Sequence, residues 1–317
     1  MKRMDFYTKP QTWIGSIQAI MTLGFIVGFY YWLLLGFGLS IAGLVLIENT
    51  IIKGLIVVCA AIMLGLSRFP KRVQRWEWFL RLPVWQSLLD YFEFSIVFED
   101  FDKVQKGNVI FAEFPHGVFP LGSLLSYFCV EKIMPGHIVY GLMASVIDRV
   151  PIVRHIFGWL GTKPATSATL ASCLKDGSCG IVVGGIAEMF MLDPDRERIF
   201  VKQRLGFIRS AQNSGVNICP VYFLGQSQLL SVVGGSSDGF LARMSRKFQM
   251  SLIFFYGRWG LPIPQRSKIV MVIVSPIDVS GLSLEDASSL ICSKLLILYE
   301  STRSSLPGWS SRPLSIE

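Results

Sequence analysis

From Ile14 to Ile47 the chain carries no charged side chain. A neutral apolar run of this length points to a membrane protein, and it is too long for one straight span. As a single helix these residues would extend about 51 Å at ~1.5 Å per residue, against a hydrocarbon core ~30 Å thick. Gly36–Ser40 (GFGLS) offers a place to turn, and a second apolar run, Gly54 to Leu66, follows Glu48, Asn49 and Lys53. Lys2, Arg3 and Lys9 precede the region; Arg68, Lys71, Arg72 and Arg75 follow it. Basic flanks favour the cytosolic side of a membrane, and two basic flanks on one side require an even number of crossings. The run exceeds the short apolar core of a cleaved signal peptide. Residues 1–67 are therefore expected to form an N-terminal transmembrane helical hairpin or re-entrant anchor, and residues 68–317 a separate domain. The composition agrees: 16% of residues are charged and 51% hydrophobic, with a net charge of +8. Soluble domains average roughly 25% charged.

Past residue 68 the pattern changes. Residues 72–92 place Trp76, Trp78 and Trp85 beside Arg75 and Arg81, which fits either an interfacial amphipathic helix or a core-facing one, broken at Pro83. Apolar runs at Asn108–Glu113, His137–Leu142, Cys179–Gly184, Asn217–Phe223 and Lys268–Ser275 predict strands, several apolar throughout, as in a sheet buried on both faces. Helices are predicted near 121–131, 145–160, 166–175, 203–214 and 284–304, with Gly215 ending the fourth and Ser283 with Asp286 capping the last. Alternating strand and helix gives an α/β domain with a mixed or mostly parallel sheet flanked by helices. Gly234–Gly239 and Pro262–Gln265 are predicted loops. The six cysteines are scattered without a CxxC pair and are expected as reduced packing residues; three histidines at these spacings supply no zinc ligand set.

Ligands of open α/β sheets collect beyond the carboxyl ends of strands. Two predicted strand ends carry chemistry. One is Phe114-Pro115-His116-Gly117. The other is Gly184-Gly185, followed closely by Glu188. On composition alone His116 is a packed residue or an acid/base group, the glycines a tight turn, and Glu188 a carboxylate favoured at a helix N-terminus. Arg196, Arg198, Lys202, Arg204 and Arg209 form a basic run beside the second end: either a solvated or lipid-facing surface, or a phosphate site. No GxSxG elbow is present, which removes a serine-hydrolase reading. The basic residues accompany a membrane segment, which argues against nucleic acid.

Four segments occur in order: FPHGVFPLG, IVVGGIAEMF, RLGFIRSAQNSGVNICPVYFLGQ and FFYGRWGLPIP. Together they resemble the diacylglycerol acyltransferase type 2 family, from the membrane segment to about residue 280, with a plant- or algal-like VFPLG continuation. The resemblance implies a glycerolipid acyltransferase-like fold facing the cytosol on an endoplasmic-reticulum anchor, with lipid droplets as a second location. It implies acyl-CoA as co-substrate, no other cofactor, and diacylglycerol or a related lipid alcohol as acceptor. Monoacylglycerol or a wax alcohol is the alternative acceptor, and a catalytically weak membrane or droplet scaffold the alternative of another class. On this reading His116 is the general base. Phe114, Pro115 and Gly117, with Gly184 and Gly185, belong to the motif and oxyanion region. Glu188 orients His116 or binds acceptor hydroxyls. Arg204, Arg209 and Arg258 contact the phosphates of CoA. The chain departs from the family pattern at Phe114, where relatives carry His or Glu, and at Gln226, where Glu is common. Phe114 is expected to tune the pocket, and Glu113 to face away from His116.

Overall fold

The computed structural model describes residues 1–8, 12–66, 69, 73–234, 239–248 and 253–317. Of the positions singled out above, Lys9, Arg68, Lys71, Arg72 and 235–238 lie outside the described residues. The strands are β1 (Lys2–Asp5), β2 (Ser95–Phe98), β3 (Val109–Phe114), β4 (Val139–Met143), β5 (Lys163–Pro164), β6 (Ser178–Val182), β7 (Glu197–Ile199) and β8 (Asn217–Leu224), then β9 (Ser231–Val232), β10 (Phe255–Tyr256), β11 (Val270–Ile273) and β12 (Leu314–Ile316). One sheet has the order β1-β2-β11-β8-β3-β6-β4-β5. The run β8-β3-β6-β4-β5 is parallel. β11 is antiparallel to β8 and parallel to β2, and β1 is antiparallel to β2. The sheet is therefore mixed and parallel-rich, flanked by helices.

Period-two alternation divides its central strands between two apolar layers. Val109, Phe111, Val221, Phe223, Met271 and Ile273 enter one buried cluster. Ile110, Ala112, Phe114, Tyr222, Leu224 and Val272 enter the other, beneath the helix Leu284–Thr302. Burial on both faces is why the central strands are apolar at nearly every position. The two signals at helix ends hold: Gly215 is left-handed at φ +64°, and the Ser283 hydroxyl accepts the Asp286 N–H at 3.0 Å.

Residues 12–66 depart from the expected pair of helices. Three helices form: α1 (Trp13–Ile26), α2 (Phe29–Leu46) and α3 (Thr50–Leu66). The turn does not fall at Gly36–Ser40, which lies inside α2. It falls at Ile47–Asn49, where the Asn49 side-chain oxygen accepts the N–H groups of Ile51 and Ile52. Two glycines inside an otherwise strong apolar helix cost only about 1 kcal/mol each, whereas Glu48 brings a charge and Asn49 caps the next helix. Gly43 lets α2 and α3 approach, since a Cβ there would stand 2.7 Å from Ile56. Among the described residues, α2 alone is long and apolar enough to cross a membrane; α1 and α3 are shorter. None of the α2 or α3 side chains is buried. By contrast, α1 buries Ala19, Leu23 and Ile26, packs on the helix Val84–Tyr91, and accepts the Ser87 hydroxyl on Gln18. Together with β1, it joins the globular part. The tryptophans of 76–85 divide by role: Trp85 is buried, while Trp76 and Trp78 are exposed. Pro83 separates Glu77–Leu80 from Val84–Tyr91.

Candidate active site

The carboxyl ends of β8, β3 and β6 lie side by side, and each releases one part of the site. β3 ends at Phe114, a fully buried ring of the second cluster. The bond to Pro115 is cis, and Gly117 takes φ +62°, a region that favours glycine. Between them His116 is half-buried at the crevice.

Two side chains from the neighbouring strand ends hold this loop by its main chain. Glu188, in the short helix Ile186–Met189 after β6, accepts the His116 N–H on Oε2 at 2.6 Å and the Phe200 N–H on Oε1 at 2.7 Å. Its carboxyl rests on Gly184, where a Cβ would stand 1.8 Å from the carboxyl carbon. Only glycine leaves room there. Gly185, at φ +58°, starts the short helix. From the other side comes Gln226, which follows β8. Its amide nitrogen donates to the carbonyls of Pro115 and His116, the latter at 3.3 Å, and its oxygen accepts the Gly122 N–H at 2.6 Å. One planar amide thus serves donor and acceptor needs at once, which a carboxylate at this position cannot do.

The His116 ring is oriented separately. Its Nδ1 stands 2.8 Å from the Gly117 carbonyl oxygen. A carbonyl only accepts, so Nδ1 carries the hydrogen and Nε2 presents its lone pair. Burial lowers the pKa of His116 below 6.5, with the carbonyl contact opposing, so the ring is neutral at neutral pH. Glu188 touches the main chain of His116 and not the ring; burial raises its own pKa to about 7, against the pull of the two N–H donors and of Arg204. Glu113 lies with Phe111, Met271 and Ile273 on the side of the first layer. It accepts the Ser123 hydroxyl, and burial raises it to about 7.

The predicted cations separate. Arg204 is exposed beside Glu188 and stands over the Phe200 ring, 5.4 Å from its centre. Arg209 is exposed on the helix Gly206–Ser214 that follows. Arg258 belongs to another loop, with its guanidinium 3.4 Å from the Tyr91 hydroxyl and 4.3 Å from the Trp259 ring centre. Arg196 and Arg198 are paired with Asp193 and Glu317.

Sequence reasoning missed the support beneath the site. Glu197, buried, pairs with buried Arg312 at 2.7 Å and accepts hydroxyls from Tyr222 and Ser227. Arg312 also donates to the carbonyls of Asp193, Pro194 and Arg196. No local pattern marks a pair separated by more than a hundred residues. Gln226 had a signal, its place directly after the strand-ending Gly225, although its partners were not legible.

Comparisons with known proteins extend this picture. A family model described as Diacylglycerol acyltransferase matches residues 45–290. Human diacylglycerol O-acyltransferase 2 is 27% identical over 228 residues, 66% of this chain and 58% of that protein. Its namesake from Dictyostelium discoideum is 28% identical over 214 residues, 62% and 64% of the two chains. Bovine 2-acylglycerol O-acyltransferase 1 is 27% identical over 224 residues, 65% and 66%. In each case less than two thirds of the relative's length is spanned. Among solved structures, the 1-acyl-sn-glycerophosphate acyltransferase PlsC from Thermotoga maritima aligns with a TM-score of 0.45 at 12% identity, over 93% of this chain and 98% of that one.

Proposed function

The chain belongs to the diacylglycerol acyltransferase family, and from that premise we propose that it is an acyl-CoA-dependent O-acyltransferase that esterifies diacylglycerol to triacylglycerol. The observation that carries the reading is the His116 ring, neutral, with Nδ1–H spent on the Gly117 carbonyl and Nε2 left as a base. An alcohol is a weak nucleophile and needs its proton removed as it attacks. His116 Nε2 takes the acceptor hydroxyl proton while the oxygen attacks the thioester carbonyl. The tetrahedral oxyanion needs donors ~2.7–3.1 Å away, and the Gly117 N–H is assigned to it. Collapse expels the CoA thiolate, which receives the proton from the imidazolium, giving ester and free CoA without a covalent enzyme intermediate. Glu188 and Gln226 act on the loop that carries the base. Arg204, whose charge acts on Glu188, and Arg209, both exposed, are assigned to the phosphates of CoA; Arg258 is the weaker candidate, given its contacts with Tyr91 and Trp259. No further cofactor is invoked.

The anchor is an out-and-back hairpin of α2 and α3. Its support is that both ends return to one body: β1 pairs with β2, and Trp76 donates its N–H to the Trp159 carbonyl. At ~1.5 Å per residue the 18 residues of α2 span about 27 Å, close to a hydrocarbon core of ~30 Å. We place the protein in the endoplasmic-reticulum membrane with the sheet facing the cytosol, and on lipid droplets. The test is expression in cells lacking triacylglycerol synthesis, followed by lipid analysis with a panel of acceptors. Triacylglycerol formed by the wild type and not by His116→Ala supports the reading. Esters of monoacylglycerol or long-chain alcohols alone would reassign the acceptor, and no ester at all would leave the scaffold.

A further inference from the structure

A cavity of about 360 Å³ opens between two segments, 189–194 and 227–232. Each segment begins one residue past a side chain that holds the histidine loop: Met189 follows Glu188, and Ser227 follows Gln226. The cavity is thus built on the same two strand ends as the site and is fixed to it through both.

Its lining has a definite chemistry. Met189, Phe190, Leu230 and Val232 supply an apolar wall; Ser227, Gln228, Ser231 and Asp193 supply the polar one. Among the described residues, none that lines the cavity is cationic. The Asp193 carboxylate is already engaged, by Arg196 at 2.8 Å and by the Asp195 N–H at 2.9 Å. Buried Arg312, behind this wall, donates to Glu197 and to three carbonyls. Such a lining does not suit the phosphates of CoA. Hydroxyl and amide groups set against an apolar wall suit a neutral ligand with hydroxyl and ester groups.

The apolar side has a direction. Val232 lies in β9, paired with Phe255 of β10. The Phe255 main chain is held at both its N–H and its C=O by the Tyr31 hydroxyl, which belongs to α2. The wall of the cavity is therefore one strand pairing away from the foot of the long apolar helix.

We propose that this cavity is the acceptor site: it takes the glycerol and ester groups of a neutral acylglycerol, whose chains trail past β9 and β10 toward α2 and the bilayer. The assignment rests on the acyl-transfer reading above. At about 360 Å³ the cavity is at the small end of the usual ~300–1,000 Å³ for ligand sites. It has room for the head of such a lipid and not for its chains. The Ser227 hydroxyl donates to Glu197 and the Gln228 oxygen accepts from Trp309, so selection between hydroxylic acceptors falls to Ser231, the Gln228 amide nitrogen and the Ser227 oxygen as an acceptor, and the donor approaches from the Arg204 side.

Two arms test it on the full chain in membranes. In the first, a diacylglycerol carrying a diazirine beside its ester group is photolysed and the labelled peptides are mapped. Label within 189–194 and 227–232, displaced by unlabelled dioleoylglycerol and not by oleoyl-CoA, is the expected result. Label elsewhere, or displaced by oleoyl-CoA, overturns the proposal. In the second, Val232→Trp and Ser231→Phe narrow the cavity from its rim. Each is expected to raise KM for dioleoylglycerol tenfold or more while KM for oleoyl-CoA stays within twofold; the opposite pattern places the donor there and overturns it. Should the wild type transfer no acyl group to any acceptor, the function reading fails by itself, and the labelling arm still decides whether the cavity holds a neutral lipid.

Discussion

Replacing Glu188 by Gln keeps the size of the side chain and changes one contact in kind. Both carboxyl oxygens accept a main-chain N–H, from His116 at 2.6 Å and Phe200 at 2.7 Å, at a position 1% exposed. Gln retains one acceptor and turns an NH₂ toward the other N–H. The loss is one hydrogen bond to a charged group, about 1.5–3 kcal/mol, plus a buried donor left unsatisfied, about 1–3 kcal/mol. If 3 kcal/mol of that falls on the population of the correctly placed loop, kcat drops about 150-fold, since ~1.4 kcal/mol is tenfold. Gly184→Ala reaches the same end by another route, because its Cβ would stand 2.2 Å from both carboxyl oxygens and force the group out. Initial rates of acyl transfer from radiolabelled oleoyl-CoA in membranes, across acceptor and donor concentrations, are the assay. Both variants should lose kcat with little change in KM for oleoyl-CoA. The double variant should be no worse than the poorer single one, because both remove one carboxylate from one pair of N–H groups. Activity within threefold of wild type in Glu188→Gln, or additive losses in the double variant, would refute this account of the loop.

Other predictions follow from neighbouring contacts. Burial raises the Glu113 pKa from 4.5 to about 7, so the group is neutral in acid and ionises as pH passes through that value; its stabilising share is complete below the unfolded pKa and is lost as pH rises through the folded one, an amount of about 3 kcal/mol at ~1.4 kcal/mol per unit. Glu113→Gln should therefore flatten the fall in thermal stability between pH 5 and 8, and an unchanged profile in melting experiments contradicts it. Because Glu188 is raised to about 7 and His116 is held below 6.5, kcat/KM should begin to fall on acidification near pH 7, as Glu188 takes up a proton, and fall further as His116 does. Arg204→Ala should raise KM for oleoyl-CoA several-fold and leave KM for dioleoylglycerol unchanged. Removing the charge of Arg312 by Met strands buried Glu197 and should cost about 3–5 kcal/mol of stability, visible in detergent as a lower melting temperature.

The sheet was legible because burial on both faces leaves little choice of residue: β3, β6 and β8 are apolar runs bounded by Gly, Asn or Pro, and β11 is one set between Lys268 and Ser275. β1 and β2 were not, since KRMD is polar and at an edge, and SIVF is too short to distinguish from helix. The turn at Ile47–Asn49 was misplaced because glycine was weighted above capping polarity. At the site, His116, Glu188 and the glycines around them could be found as unusual residues at strand ends. What they touch could not. That Glu188 serves a main-chain N–H, that Phe114 is interior, and that Gln226 bridges two carbonyls all depend on which strands are neighbours, a non-local fact that no spacing encodes.

The most direct test of the central claim is the initial rate of triacylglycerol formation by membranes carrying wild-type protein or His116→Ala, at equal amounts of membrane-bound protein. Loss of at least a hundredfold in kcat, with the variant still in the membrane fraction, is the predicted result. A variant that keeps more than a tenth of the wild-type rate would contradict His116 as the base.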